Sequence, residues 1–549
     1  MKRNLTFLLS LMVCASMILA ACGGVAPASS TGGTAIITFV QQPTTLNPMY
    51  ANQWFSTITT QFFLKSLWSF DQNNTPVPEI ATEIPSVKNG GISQDGLTLT
   101  VKLRDDVTWS DGEPVTAKDF IFTYEMYLAQ SNVVASRYPY EDYVDSMEAK
   151  DNDHTLVVHF KEPFAGWQAL LFQYGVLPEH VLKPVFDKDG TLDNAEWNHK
   201  PTVGVGPFVF KEWETDSHII FEANPKWIHP PKLQEIFIRI ADDSGQEVAI
   251  LAGDTDIGTF LDWSQAGAIN KSGKAKFVIQ PAGYDEGWFL NFDPKTAHPA
   301  MLDVNVRKAL VLATDRNKIT KDLLGGQTVP PATFWDSTPP YGNPDLKPYP
   351  YDPEQAKKLL DEAGWKDSNG DGPRDKDGKE LVLRYIASDR QLRKDVQAVV
   401  QQMWAQVGIG SELKNYGDDF FNGYADGGPM ATGNYDVAQW SDAPNFPDPD
   451  RSDYWSCKEV VNSDNPDGAN WQGYCNEELD KLFVQQATET DPEARQQLYY
   501  QIGKIMYDNV VWAGLWKDPD LWSISNRLQG VKLSGATPFW NAHEWFLNK

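Results

Sequence analysis

The chain has 549 residues, 41% of them hydrophobic and 12% aromatic, with a formal net charge of -27. That length exceeds what one hydrophobic core organises, so two or more domains are expected, and the composition is that of a globular chain rather than a disordered one. So acidic a surface repels nucleic acid and anionic lipid headgroups, which excludes nucleic-acid binding.

Lys2 and Arg3 open the chain, and residues 5–21 are apolar or small. A basic start, an apolar middle and small residues at a cut site read as a secretory signal over 1–21. Leu19-Ala20-Ala21-Cys22 resembles the lipobox of bacterial lipoproteins, in which Cys22 becomes the lipidated first residue of the mature chain. The alternative is an ordinary signal with an incidental cysteine. Several lipid tails on Cys22 would anchor stably where one would not. Residues 22–34, rich in Gly, Ser, Ala and Pro, read as a flexible tether. No later apolar run is long enough to span a bilayer.

From residue 34, "TAIITFVQQPTTLNP" has the β-branched character of a first strand running into a loop. "GLTLTVKLRDDVTW" alternates as a strand, Ser110-Asp111-Gly112 makes a tight turn, and Thr116 caps a helix over 116–130. "HTLVVHF" is another strand; "PKLQEIFIRIADD" carries a short one, and "SGQEVAILAGD" follows as a helix. "NVRKALVLATDRNKITKDLL" reads as two helices or one broken helix, and on one helix Arg307 and Asp315 would share a salt-bridge network. Asp352 and Pro353 open a helix as N-cap and first residue, with Ala356, Leu359, Leu360 and Ala363 as its stripe and Gly364 as its stop.

"DSNGDGPRDKDGKE" follows. Asp367, Asn369, Asp371 and Gly372 match positions 1, 3, 5 and 6 of a calcium loop, and Asp375 and Asp377 offer further oxygens. Position 12 is Gly378, however, with Glu380 two residues late. The segment is either a structural calcium clip away from any ligand or a solvated Asp-Gly hairpin; no other cofactor is required. The next helix, 390–408, points Leu392, Val396, Val399, Met403 and Val407 inward and stops at Gly408. Cys457 and Cys475 are the two cysteines left in a mature exported chain, in a loop-like stretch. They form either a disulfide, which would add about 3 kcal/mol by loop entropy, or two free buried thiols. Asp491-Pro492 starts the last helix. Strands and helices mix throughout, so the class is α/β or α+β, and no fixed period suggests a repeat protein.

Several blocks resemble one family. "VTWSDGEPVTAKDFIFTYE", "VGVGPFVFKEW", "ILAGDTDIG", "LDVNVRKALVLATDRNKI" and "GYCNEELDKLF" are similar, in this order, to the family 5 extracellular solute-binding proteins, the peptide- and nickel-type receptors of ABC importers. The resemblance implies an α/β, two-lobed, periplasmic-binding-protein-like fold with a hinge. Lobe I would cover 35–285, with an extra subdomain at about 71–205. Lobe II would cover 286–512, and 513–549 would return to lobe I. It implies no enzyme but a monomeric receptor on the extracytoplasmic face of the cell membrane. Its partners would be a small solute, an oligopeptide first, and the ABC permease and ATPase.

Two closing lobes need aromatic walls and a few charges. Tyr284, Trp288 and Asn291 sit where the family passes between lobes, although Trp288 suits core packing equally. Tyr50, Asn52 and Trp54 would add the opposite wall. In peptide-binding relatives a carboxylate shortly after a tryptophan pairs with the peptide ammonium; the match here is Asp442, two after Trp440. Asp448 and Asp450 are alternatives across an apparent insertion, and all three would also suit a turn-forming surface loop. The rival functions are an oligosaccharide receptor, for which twenty tryptophans are suited, and a secreted hydrolase, for which no nucleophile–base motif is present.

Overall fold

Thr34–Phe39 is the central strand of a seven-stranded sheet. It runs parallel to Glu235–Ile240 on one side and to Ile257–Gly258 on the other. The antiparallel strands His218–Ala223 and Phe208–Glu214 extend one edge. Asp520–Ser525 and Ala275–Gln280, also antiparallel, complete the other. The computed structural model describes residues 32–548 except Asn52, Asp371 and Asp467. Cys22, the signal and most of the tether therefore lie outside the described residues, as does Asn52.

A second, five-stranded sheet has the order Gly410–Tyr416, Val382–Ser388, Val437–Asp442, Asp285–Leu290, Trp512–Lys517. All six residues of Asp285–Leu290 are buried, as expected of a strand covered on both faces. Its pleat sends alternate side chains into two cores. Trp288 packs with Tyr385 and Trp404 beneath helix Gln391–Ala405. Phe289 packs with Trp440 and Trp455 on the other face, near helices Glu477–Thr488 and Pro492–Asp508.

A three-stranded antiparallel sheet, Thr98–Lys102, Thr155–Phe160 and Val144–Lys150, lies within the segment expected as an extra subdomain. It carries helices Ala117–Leu128 and Glu179–Asp189. Its buried residues are continuous with those of the seven-stranded sheet, so the two share one core. Thr116 and Asp119 form a reciprocal capping box at the start of Ala117–Leu128.

Residues 281–284 and 518–519 connect the two large sheets. Strand Trp512–Lys517 pairs with Asp285–Leu290, so the chain leaves the second sheet at 518 rather than at 513, and it enters that sheet at Asp285. The return is hard to place from composition because apolar strands stand on both sides of it; the break is Lys517-Asp518-Pro519-Asp520.

The helical segment after residue 303 is two helices, Val304–Leu312 and Arg316–Leu323. Asp315 caps the second by accepting from Lys318 N–H, and Arg307 donates to the carbonyls of Met301 and Asn509. The expected Arg307–Asp315 network is therefore replaced by a cap and by carbonyl ligation. On Gln391–Ala405 the inward face is Val396, Val400, Met403 and Trp404, with Leu392 and Val399 at its margin. Asp352 caps Pro353–Glu362 as the sequence indicates.

Cys457 and Cys475 are disulfide-bonded. The bond closes a loop that Asn470 ties internally by donating to the carbonyls of Ser456 and Tyr474. Replacing both cysteines by serine is expected to lower the stability of this lobe by about 2–4 kcal/mol. Urea denaturation followed by tryptophan fluorescence under non-reducing conditions measures it; an unchanged midpoint would mean the loop is held by its hydrogen bonds alone.

Candidate functional site

A cavity of about 280 Å³ lies where the two sheets meet. The first sheet's side supplies aromatic walls. Trp54 is the first residue of helix Trp54–Phe63, and Phe260 and Trp263 follow strand Ile257–Gly258. Phe260 has φ +54°, a strained conformation for an aromatic residue. Its ring contacts Trp54 at 6.1 Å and Phe55 at 6.2 Å between centroids. Across the cavity the Arg390 guanidinium lies 5.7 Å from the same ring and 3.5 Å from Asp262.

The second lobe supplies Glu286 and Trp516 from its sheet and Arg393 from helix Gln391–Ala405. Arg393 grips Glu286 bidentately, with Nε to Oε1 at 2.8 Å and Nη2 to Oε2 at 2.7 Å, and Gln439 donates to Oε1 at 2.9 Å. Both ion-pair partners are buried. The network runs inward: the Tyr385 hydroxyl donates to Gln439 and accepts from Trp288 Nε1 at 2.9 Å.

The connections themselves supply Tyr284, Asp518 and Asp520. Asp518 N–H donates to the Tyr284 carbonyl at 3.0 Å, tying the two crossings together. Trp516 Nε1 donates to Asp518 Oδ1 at 3.2 Å. Asp520 has a partly exposed side chain, but its Oδ2 is enclosed and has no hydrogen-bond partner among the described residues. Burial, and then the charge of Asp518, push the Asp520 carboxyl up to about 7. Burial, and then Glu286, raise Asp518 as well.

Of the residues singled out from sequence, Trp54 and Tyr284 line this cavity. Trp288 does not: it shares a face with Glu286 but sits one pleat deeper, where it is fully buried. Asn291 is fully buried and donates to the carbonyls of Gly433 and Tyr435. Trp440 stacks on Phe289 with centroids 3.4 Å apart. Tyr50 donates to Asp193 at 2.9 Å, away from the cavity. Asp442 is paired with Arg451 at 3.3 Å, and Asp448 is buried against Arg495 at 2.6 Å. Asp450 accepts from Gln486. Each of these carboxylates already has a counter-charge or donor nearby, and the Tyr138 hydroxyl of the subdomain also donates to Asp450 at 3.5 Å.

Sequence reasoning missed Phe260, Glu286, Arg390, Arg393, Trp516, Asp518 and Asp520. The available signal was "KDPD" at 517–520, an acidic break between two apolar strands near the expected return to the first lobe.

In the acidic segment after residue 366, Ser368 N–H and hydroxyl donate to Asp375, and Gly370 N–H donates to Asp367. Asp377 turns the hairpin between Asp375–Lys376 and Lys379–Glu380 at φ +53°. Asp371 lies outside the described residues. Among the described residues no group of three or more His, Cys, Asp or Glu is placed to hold a metal ion. The hairpin alternative accounts for these contacts.

A family model described as bacterial extracellular solute-binding proteins, family 5 Middle, matches residues 75–463. The oligopeptide-binding protein AppA of Bacillus subtilis is 28% identical over all of this chain and all of its own length. The structure of AppA in complex with a nonapeptide superposes with a TM-score of 0.73 at 25% identity, covering 94% of this chain and 99% of that one. NikZ from Campylobacter jejuni, in complex with Ni(L-His), has the same fold, with a TM-score of 0.76 at 24% identity over 93% of this chain and 99% of its own.

Removing one partner of the Glu286–Arg393 pair strands a buried charge. Arg393→Met is expected to cost about 3–5 kcal/mol, and Glu286→Gln with Arg393→Met to recover much of it. Chemical denaturation of wild type, both single variants and the double variant measures this; a double-variant loss equal to the sum of the two single losses would show that the pair is not coupled.

Proposed function

Because the chain belongs to the bacterial extracellular solute-binding proteins of family 5, a family of receptors and not enzymes, we propose that it captures an oligopeptide between its lobes and delivers it to an ABC permease and ATPase. The observation that carries this reading is the cavity at the lobe junction, with walls from both sheets and from both connections. Its volume of about 280 Å³ is just below the ~300–1,000 Å³ usual for ligand sites. The lobes are drawn together around it. Beside the Arg390–Asp262 pair, Ala165 N–H of the subdomain donates to the Ala487 carbonyl of the second lobe at 2.9 Å. A ligand favours such closure only by binding the closed state better than the open one. The match to an oligopeptide-binding relative over its full length supports a peptide rather than a sugar.

In this reading the protein works as a monomer on the extracytoplasmic face of the membrane, held by lipid on Cys22 through the tether 22–34. No helix among the described residues is long and apolar enough to cross a membrane. No calcium is needed for capture.

Calorimetry and native mass spectrometry with peptides of about three to nine residues should give one-to-one binding. Binding of a cello- or manno-oligosaccharide in place of every peptide would overturn the peptide reading. For the anchor, Cys22→Ala is expected to move the protein from the membrane fraction to the soluble fraction; a variant that stays membrane-bound with its lipid mass would show that the anchor lies elsewhere.

A further inference from the structure

The charges around the lobe-junction cavity do not balance. Glu286 is matched by Arg393 and Asp262 by Arg390. Lys517, next to Asp518 in the chain, donates its ammonium to the Asp336 carbonyl. Among the described residues, Asp518 and Asp520 therefore line the cavity with no ion-pair partner of their own, the nearest cations, Arg390 and Arg393, being paired with other carboxylates. Asp518 accepts from the Trp516 indole and faces the Ser441 hydroxyl, whereas Asp520 Oδ2 is enclosed with no donor among the described residues. An enclosed carboxylate oxygen without a donor is unfavourable unless something arrives to satisfy it. The neighbouring surfaces are the rings of Trp54, Tyr284 and Trp516, and aromatic faces attract cations.

We propose that the floor of this cavity is a cation subsite, in which Asp518 and Asp520 receive an ammonium or guanidinium group of the ligand within the aromatic wall. The inference rests on the cleft being the ligand site, and it narrows the ligand class to solutes with a positive end or a basic side chain, against anionic metal chelates. The charged and titratable groups facing the pair are the Glu286–Arg393 and Asp262–Arg390 pairs and the Tyr284 hydroxyl. Asp520, pushed up to about 7, changes charge near neutrality. Ligand cation and proton then compete for it. The free protein takes up a proton there as pH falls, so affinity for a cation falls with it.

The test is calorimetry at pH 8 on wild type, Asp520→Asn and Asp518→Asn. The probes are tri-alanine, N-acetyl-tri-alanine, N-acetyl-Ala-Lys-Ala, spermidine and the ferric complex of EDTA. At least one cationic probe should bind wild type about tenfold or more tightly than N-acetyl-tri-alanine. Preference for tri-alanine identifies the peptide terminus, and preference for N-acetyl-Ala-Lys-Ala a side chain. Both Asn variants should lose about tenfold for that probe and keep a melting temperature no lower than wild type, since each removes a desolvated charge. Wild-type affinity for that probe should also fall about tenfold from pH 8 to pH 6, and that of Asp520→Asn should not. Equal binding of neutral and cationic peptides, a preference that survives both substitutions, binding of the ferric chelate alone, or no binding of any cation would each overturn the subsite. Binding of spermidine that depends on Asp520, with no peptide bound, would uphold the subsite and overturn the peptide reading.

Discussion

The molecule turns on one bent two-stranded ribbon. Ala275–Gln280 pairs with Asp520–Ser525 in the first sheet, and Asp285–Leu290 pairs with Trp512–Lys517 in the second, so the same two passages of chain are antiparallel neighbours in both lobes. Between them the ladder is interrupted by Pro281 on one passage and Pro519 on the other, neither of which has an N–H to donate. The Asp518–Tyr284 backbone hydrogen bond keeps the passages together across the break. Gly283 holds φ +85°, and a Cβ there would lie 2.4 Å from the Phe446 ring, so the bend is closely packed as well as proline-broken. Each lobe is stiffened by its own sheet, which leaves this bend as the break in the ladder between them.

That geometry explains why the cavity is polar at its floor and aromatic at its walls. Side chains near a ladder break, such as Asp518, Asp520 and Tyr284, line the space between the lobes. Side chains one or two pleats further along the same strands are committed to core packing, as Trp288 and Phe289 are. The Glu286–Arg393 pair stands at the boundary. Its carboxylate lines the cavity, while its hydrogen bonds lead through Gln439 and Tyr385 to Trp288, so the cavity's edge is fixed by the interior of the second lobe. A buried ion pair is weak evidence for stability, but it is specific about geometry when every oxygen has a donor, as here.

The acidic loop after strand Val437–Asp442 shows the same principle in reverse. Asp442, Asp448 and Asp450 form an attractive cation site as a string of letters. In the fold, Arg451 and Arg495, from elsewhere in the loop and from helix Pro492–Asp508, reach the first two, and Gln486 donates to the third. What separates a ligand carboxylate from a scaffold carboxylate is whether the fold brings a counter-charge to it, and partners 9 and 47 positions away are not visible in a local motif.

Periodicity, caps and breakers act over a few residues, and so they were legible directly. The capping box at Thr116, the N-cap and proline at Asp352-Pro353 and the strand character of 34–39 all depend on neighbours one to four positions away. The ordered blocks that resemble one family carried the two-lobed architecture and the receptor class, because those blocks build the scaffold. The lining of the cavity is only partly legible: Trp54 and Tyr284, which line it, stand out in the sequence, and Asp518 and Asp520 do not. A cleft assembled from residues more than 460 positions apart exists only once both sheets have closed on the ribbon. The sequence by itself determined the local elements, the acidic surface and the receptor class. Tertiary structure alone decided which aromatic rings face the cavity and which carboxylates have no ion-pair partner among the described residues, since burial and charge pairing belong to the packed chain.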